Sequence, residues 1–323
     1  MKYEFYEQKK REIFLSRLVK IFQTNKKFVE KLLSIDFRKS LRVNTLKVVD
    51  EEKLIKEIEA SGVHLIKIPW EEHSYVIDEE EQQLSRTTYF DEGLIYLQNA
   101  SSLLPALLLD PQEGERILDM CAAPGGKATH IAALTNNNAE LWVNDSSYLR
   151  VQKMAEILYR YGVKTREVLI KRAEEIAMPP EKLFDRILLD AQCSGEGMIN
   201  LQHPRAMQYW SVIRIRKFQT LQKQMIEKAY ELLRPGGTLV YSTCTFAPEE
   251  NEIIIDGFLK HHKDMSIEKA DVQLEFRMPG LTRWENRSLH PDLTNALRVL
   301  PNLFMEGFFV CKMEKTASAD TSI

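Results

Sequence analysis

Cysteine, glycine and long apolar runs are all scarce in this sequence, and each scarcity narrows what the chain can be. The four cysteines, at 121, 193, 244 and 311, show no CxxC spacing, which argues against a metal site and against the disulfide framework of a small secreted domain. Thirteen glycines and twelve prolines in 323 residues leave no collagenous or low-complexity tract, and no internal repeat is visible. No apolar run reaches the ~20 residues of a membrane span. The opening MKYEFYEQKKREIF lacks the apolar centre of a secretory signal, so the expectation is a cytoplasmic protein, monomeric and free of metal and membrane. Two nucleotide-binding signatures are missing as well. A Walker A loop would need glycine at 121 and Ser or Thr at 128, where the chain has Cys121 and Ala128, and there is no GxGxxG.

What the chain does have is the stretch ILDMCAAPGGKAT, residues 117–129. It begins as a short apolar run and breaks into Cys121, Ala122, Ala123, Pro124, Gly125 and Gly126. It then takes up helical spacing through Ala128, Ile131, Ala132 and Leu134. A buried strand, a tight turn of small residues and a helix are how a doubly wound α/β sheet presents a ligand site. Adjacent glycines let backbone approach a ligand, and the helix start offers N–H groups to an anionic part of it. With the other two patterns excluded, the turn reads as that of a class I S-adenosylmethionine site. An acid about 20 residues further on should take the ribose hydroxyls, and ELWVND ends in Asp145.

The net charge of −3 hides an asymmetry: residues 1–50 carry 13 Lys/Arg against 6 Asp/Glu, residues 51–100 carry 4 against 12. The basic opening could attract a phosphate backbone, or the two segments could be solvated faces of opposite sign. Phe14, Leu18 and Phe22, with Leu15 and Val19 beside them, predict two amphipathic helices over 5–34. LRVNTLK alternates as a strand that would expose Arg42 and Asn44. A helix over 50–60 ending at Gly62 and strands in VHLIKIPW and SYVID complete a small α+β unit, an RNA-binding sheet or a packing module.

After a short strand at 93–98 and an apolar helix at 100–109, strands at 116–121, 140–144, 166–170, 184–190 and 237–243 alternate with helices near 126–134, 146–160, 214–233 and 249–260. Pro235-Gly236-Gly237 reads as the turn into the fifth strand, and GFFVCKM as a last strand. The expected division is 1–98, 99–315 and a frayed tail over 316–323.

Reactive groups of open α/β sheets gather at the carboxyl ends of the strands. FDRILLD runs into Ala191-Gln192-Cys193, and GTLVYST runs into Cys244. Two thiols and the Asp190 carboxylate should therefore meet at the rim that carries the glycine turn.

In these segments the chain resembles the Sun (NSUN/RsmF-type) family of RNA cytosine-5 methyltransferases. The resemblance rests on RVNTLK, LQNASSLLPALLL, LDMCAAPGGKATH, NDSSYLR, FDRILLDAQCSGEG, LVYSTCTFAPEENE and LRVLPN…GFF, in family order across residues 42–313. It implies S-adenosylmethionine as cofactor, held by the backbone of Cys121 to Gly126 with Asp145 and Arg150. It implies structured RNA, ribosomal or transfer, as substrate. It implies Cys244 as the nucleophile that adds to cytosine carbon-6, and Cys193 as the residue that helps remove the carbon-5 proton. Asp190 would hydrogen-bond the base, and Lys127 would supply positive charge to a thiol that is otherwise only a few per cent ionised. The chain departs from the family at Gln192, where proline is usual, and at Arg172, where an aspartate usually meets the adenine amine; Glu174 is the possible substitute. Two rivals stay open: an inactive RNA-binding or assembly factor of the same fold, and a nicotinamide-dependent dehydrogenase, since an acid after the second strand would suit that ribose too.

Overall fold

The computed structural model describes residues 2–78, 84–203 and 205–317; most of the tail read from residue 316 lies outside them. The chain opens with helices α1 (Lys2–Phe22) and α2 (Lys26–Leu32). Asn25 Oδ1 accepts the Phe28 amide at 3.0 Å and caps α2. The apolar repeat of α1 is fully buried at Phe14, Leu15, Leu18 and Ile21. Phe14 meets Trp210 at 5.1 Å between ring centroids, and Phe22 packs edge-on against Phe246 at 5.0 Å. These helices therefore share the core of the larger half of the protein.

The small sheet contains β1 (Ser40–Val43), β2 (Leu65–Lys67), β3 (Ser74–Ile77) and β4 (Ile95–Gln98), antiparallel in the order β2-β3-β1-β4. Helix α3 (Glu51–Ala60), capped by Asp50, packs Leu54 and Ile58 onto Leu41 and Val43. The short α4 (Thr88–Asp91) precedes β4. The alternation expected in β1 is present, but Arg42 and Asn44 are not exposed: each is 2% accessible. The polar face of the strand docks on the second half of the chain instead of on water. Arg42 Nη2 donates to Thr129 Oγ1 at 2.8 Å and its guanidinium lies 5.8 Å from the Tyr96 ring. Asn44 Nδ2 donates to the Gly93 and Tyr161 carbonyls at 2.8 and 3.0 Å. Polar alternation marks a face but does not say what covers it.

The large sheet has nine strands among the described residues. Its parallel part is β5 (Arg116–Asp119), β6 (Glu140–Asn144), β7 (Glu167–Leu169), β8 (Phe184–Asp190) and β9 (Leu233–Thr243). β10 (Met265–Glu268), β11 (Arg277–Pro279), β14 (Leu297–Val299) and β15 (Phe308–Lys315) extend it antiparallel; β12 (Arg283–Trp284) and β13 (Arg287–Ser288) form a separate hairpin. The order β11-β14-β15-β9-β8-β5-β6-β7 reverses direction at β5, which lies between β8 and β6. The Pro235-Gly236-Gly237 turn is absorbed into β9, where the register with β8 shifts between Phe184 and Arg186. Only glycine fits at 237, since a Cβ there would lie 2.9 Å from the Arg234 and Asp185 carbonyl oxygens.

Helices cover both faces. α5 (Leu104–Leu109), α6 (Gly126–Leu134) and α7 (Tyr148–Arg160) share one core with Leu188, while α8 (Val212–Leu232), α9 (Glu252–His261) and α1 share the other with Ile187 and Leu189. That split is the two-residue period of a strand buried on both sides.

One fully buried ion pair ties the antiparallel edge to this body. Arg298 Nε and Nη2 reach Glu252 Oε1 and Oε2 at 2.6 and 2.5 Å, and Arg298 Nη1 holds the Phe246 carbonyl at 3.0 Å. Removing one partner strands the other charge in the core, so Arg298→Met should cost about 3–5 kcal/mol of stability. Urea unfolding measures this; a loss under about 1 kcal/mol would mean that the Leu281 amide, 3.0 Å from Glu252 Oε1, and water satisfy the carboxylate alone.

Candidate active site

The first strand of the parallel sheet ends in Asp119, and the small-residue turn follows. The turn is fixed from outside by Asn144 at the tip of β6, whose side chain donates to the Met120 and Lys171 carbonyls at 2.9 and 3.0 Å. The Ala122 amide in turn donates to the Asn144 carbonyl at 2.7 Å. One amide side chain thus stitches the ends of β5, β6 and β7 together. Gly125 adopts φ +118°, a backbone conformation open to glycine. The neighbouring glycine also answers to a contact within the protein. A Cβ at 126 would come within 3.0 Å of the Tyr96 hydroxyl, so Gly126 makes room for an aromatic ring of the small sheet.

Three carboxylates face this turn. Asp145 is 2% exposed; its Oδ1 accepts the Ser147 amide at 3.0 Å. Arg150 Nη1 sits 2.9 Å from Asp145 Oδ2 without the alignment of a hydrogen bond, which leaves that buried oxygen in need of donors. Arg150 also donates to the Ala123 carbonyl, so it braces the turn as well as the acid. Asp119, which the sequence reading passed over, is fully buried with Oδ2 unpartnered. Burial pushes its pKa up to about 7, against the pull of Lys127 and with help from Asp190 and Asp145. Its place at the carboxyl end of the central strand was the signal that could have found it. Asp190 accepts Ser242 Oγ–H at 2.7 Å and pairs with Lys127 Nζ at 2.7 Å. Burial depresses Lys127, but Asp190, Asp119 and Cys244 more than compensate and hold its ammonium charged.

The two thiols meet as the strand ends require: Cys193 Sγ and Cys244 Sγ are 3.2 Å apart. The hydrogen bond to Cys244, burial, and the charge of Cys244 raise the Cys193 thiol well above its ordinary value. Cys193 thus holds its proton more firmly than a free thiol does. Behind the thiols, a Cβ at Gly197 would overlap the Gly307 carbonyl and one at Gly307 would overlap Phe246. The Gly197 amide donates to the Cys244 carbonyl at 2.9 Å, and the Gly307 amide to the Gly197 carbonyl at 3.1 Å. Cys121 contributes a third thiol, raised by burial and by Asp119, Asp190 and Asp145.

Arg172 does not reach inward. It is 60% exposed and pairs with Glu174, which is 11% exposed, so the more inward-lying acid near the third strand is Glu174. Among the described residues no cluster of three or more His, Cys, Asp or Glu is placed to hold a metal ion, and no helix is long and apolar enough to cross a membrane.

Residues 106–314 match the family described as 16S rRNA methyltransferase RsmB/F, and residues 12–100 match the N-terminal domain of 16S rRNA methyltransferase RsmF. The chain is 36% identical over 307 residues to the tRNA (cytosine(49)-C(5))-methyltransferase of Pyrococcus abyssi, covering 90% of this chain and 96% of that one. It is 37% identical to the ribosomal RNA small subunit methyltransferase F of Vibrio cholerae, covering 88% of this chain and 59% of that longer protein. The crystal structure of a methyltransferase homolog protein from Pyrococcus horikoshii superposes with a TM-score of 0.76 at 31% identity, covering 94% of this chain and 98% of that one. The chain belongs to the RsmB/F, or Sun, family of S-adenosylmethionine-dependent RNA cytosine-5 methyltransferases.

Proposed function

We propose that this chain methylates carbon-5 of a cytosine in structured RNA, transfer or ribosomal, with Cys244 as nucleophile and Cys193 serving release. The observation that carries the reading is the 3.2 Å sulfur pair beside the 2.7 Å Lys127–Asp190 ion pair. Residues 99–315 are read as the catalytic domain and residues 1–98 as the RNA-binding unit, the whole acting as a cytoplasmic monomer without a metal.

Cytosine carbon-5 is a poor nucleophile. Addition of the Cys244 thiolate to carbon-6 makes the ring an enamine, and Asp190, hydrogen-bonded to nitrogen-3 and the exocyclic amine, favours the protonated ring while the carbon–sulfur bond forms. S-adenosylmethionine supplies the electrophilic methyl group. The carbon-5 proton then leaves, its electron pair restores the 5,6 double bond, and the carbon-6–sulfur bond breaks to return the Cys244 thiolate. The charge state of Cys193 suits this order. Two of the three largest causes that hold its proton are the hydrogen bond to Cys244 and the charge of Cys244. Once Cys244 is bonded to carbon-6 its charge is gone and its sulfur is a weaker acceptor, so Cys193 would ionise more readily at the stage where a base is needed.

The residues at the glycine turn fit the cofactor. The Asp145 oxygen without an aligned donor suits the ribose hydroxyls, and the buried Asp119 carboxyl suits a cationic ligand. Glu174 would take the place by the adenine amine, and the backbone of Cys121, Ala122, Ala123, Pro124, Gly125 and Gly126 would form the floor. Asp145→Ala should weaken S-adenosylhomocysteine binding by about 1.5–3 kcal/mol in calorimetry, the scale of a charged hydrogen bond lost. Unchanged affinity would mean that the ribose is held elsewhere.

With Arg42 buried, the RNA-binding reading moves to the exposed Lys9, Lys20, Lys27 and Lys31 of α1 and α2. Truncating these helices would open the core beneath Phe246, so charge reversal is the cleaner probe. Lys20→Glu with Lys27→Glu should lower RNA affinity about tenfold at low salt and flatten its salt dependence, while cofactor affinity stays the same. Binding that ignores both substitutions would place the phosphate contacts elsewhere.

The thiols carry the sharpest prediction. Cys244→Ala should abolish both methylation and any protein–RNA adduct. Cys193→Ala should methylate and then stay attached, giving a denaturant-resistant shifted band that needs S-adenosylmethionine. A band from Cys244→Ala and none from Cys193→Ala would reverse the assignment, and intact turnover without either thiol would end the covalent reading. Bisulfite sequencing of total RNA from cells with and without the gene distinguishes a transfer from a ribosomal target.

A further inference from the structure

Cys193 lies in a loop without regular structure, yet the peptide groups on both sides of it are gripped by buried side chains. Gln222 Nε2, from α8, donates to the Gln192 carbonyl at 2.8 Å. The Ser194 amide donates to Glu250 Oε2 at 2.9 Å. The same Gln222 Nε2 lies 3.0 Å from that Glu250 oxygen, so the two side chains are joined to each other as well as to the loop. Both are 0% exposed. The Tyr241 hydroxyl, on β9, donates to the Glu250 carbonyl at 2.6 Å, which fixes the acid to the rigid sheet.

We infer that Gln222 and Glu250 form a clamp that holds the Cys193 thiol against Cys244 and thereby governs release of the methylated RNA rather than attack on it. The inference rests on the roles proposed above for the two thiols.

Attack and release depend on differently supported groups. Cys244 follows directly from β9, and its carbonyl is held by the Gly197 amide; the clamp reaches it only at one remove, through the Ser194 hydroxyl 2.8 Å from Thr245 Oγ1, whereas it grips the peptide groups on both sides of Cys193 directly. Cys193 is three residues beyond the last residue of β8. Its segment is anchored before the clamp by the Ala191 amide on the Ser242 carbonyl, at 2.9 Å, and it then has to turn at Gly195, where φ is +75°. The resemblance noted for this loop places proline where the chain has Gln192. Without that ring, φ at 192 is free, and an external grip on the Gln192 carbonyl supplies the stiffness.

The clamp also has an energetic cost that a merely space-filling pair would avoid. Gln222 lies on the buried stripe of α8 with Ile215, Met225, Ile226 and Ala229. Its Oε1 and the Oε1 of Glu250 have no hydrogen-bond partner. Burial raises the Glu250 pKa to about 7, opposed by the Ser194 and Gln222 donors. Unsatisfied polar groups in an apolar layer are destabilising, and departures of this kind concentrate at sites where position matters. In release the carbon-5–hydrogen bond breaks with the proton passing to the Cys193 thiolate, the double bond re-forms, and the Cys244 thiolate departs. A base displaced by about 1 Å can lose on the order of 10²-fold in such a step.

The test uses the full chain, bulk RNA lacking the modification and radiolabelled S-adenosylmethionine. Glu250→Ala and Gln222→Met should transfer methyl groups in a single turnover within about threefold of the parent. Both should accumulate the denaturant-resistant protein–RNA band, with release slowed roughly 10- to 10²-fold. Glu250→Gln, which keeps an acceptor oxygen for Ser194, should release within about threefold of the parent. If Glu250→Ala does not fold, Gln222→Met, which preserves the helix and most of the volume, carries the same expectation. Attack and release falling together, or release unchanged in both variants, would overturn the clamp. A Glu250→Gln protein trapped as firmly as Glu250→Ala would overturn positioning in favour of a role for the charge. Cys193→Ala runs on the same gel: if it traps RNA and the clamp variants do not, the clamp alone fails, and if it traps nothing the covalent reading beneath it fails.

Discussion

The parallel pairing of β8 with β9 is the constraint on which the rest of the site depends. Asp190 stands opposite Ser242 in that register, so both chains leave the sheet at the same edge and must turn within a few residues. Two cysteines 51 positions apart are thereby brought to 3.2 Å. Because β5 borders β8 on the other side, the turn that carries Lys127 emerges at the same edge. The carboxylate of Asp190 then has one oxygen on Ser242 and the other on Lys127. A sheet with this strand order assembles two thiols, a carboxylate and the small-residue turn from three strand ends, with no need for the residues to be near in sequence.

Charge is distributed around that edge so that the site favours cationic partners. Asp119 and Asp190 face the Lys127 ammonium while Asp145 faces the Arg150 guanidinium, and the innermost of the three carboxyls is pushed up to about 7 by burial and by its two acidic neighbours. A cation bound beside Asp119 would relieve this crowding. The thiols obey the same electrostatics in sequence. While Cys244 is free, it raises Cys193 and keeps a proton there. Under the mechanism proposed above, bond formation at Cys244 would ease that restraint at the stage where Cys193 is needed.

The legible part of this structure was the part written in short-range pattern. Apolar runs of four to seven residues broken by small residues predict the parallel strands, and the position just after each run locates Cys193, Cys244, Asp190 and Asp145. The strand limits differ from expectation chiefly where the chain breaks a rule: Pro235-Gly236-Gly237 reads as a turn but is carried inside β9 as an irregularity. What was not legible depends on contacts between distant segments. Arg42 and Asn44 alternate as a solvent face does, and only the docking of the small sheet on α6 and α7 buries them. The basic opening segment reads as a free surface, yet Arg17 pairs with Glu249 at 2.7 Å, 232 residues away. Asn144 lies beside a recognisable acid and was overlooked because its task, joining three strand ends, has no local signature. Gln222 left a trace, a polar residue on an apolar helical stripe, which a reading for hydrophobic periodicity passes over.

The docking of the small sheet makes the two halves of the chain mechanically dependent at the cofactor turn. Tyr96, from β4, fills the space that a side chain at 126 would occupy. Its ring also lies 5.8 Å from Arg42, which in turn holds Thr129 on α6. The Thr129 hydroxyl donates to the Gly126 carbonyl at 2.8 Å, in the first turn of the helix that carries Lys127. A displacement of the small sheet therefore acts on the same helical turn that positions the ammonium beside Asp190. Arg42 is fully buried, with its pKa lowered to about 10 by desolvation, and Glu71 and His130 lie close to it in the same seam, with His130 lowered to about 4 chiefly by burial. The hydrogen bonds of Arg42 to Thr129 and of Asn44 to the Tyr161 carbonyl admit few alternative registers, whereas an apolar seam of the same area would tolerate sliding. The small sheet is thus held at a defined position relative to the thiols.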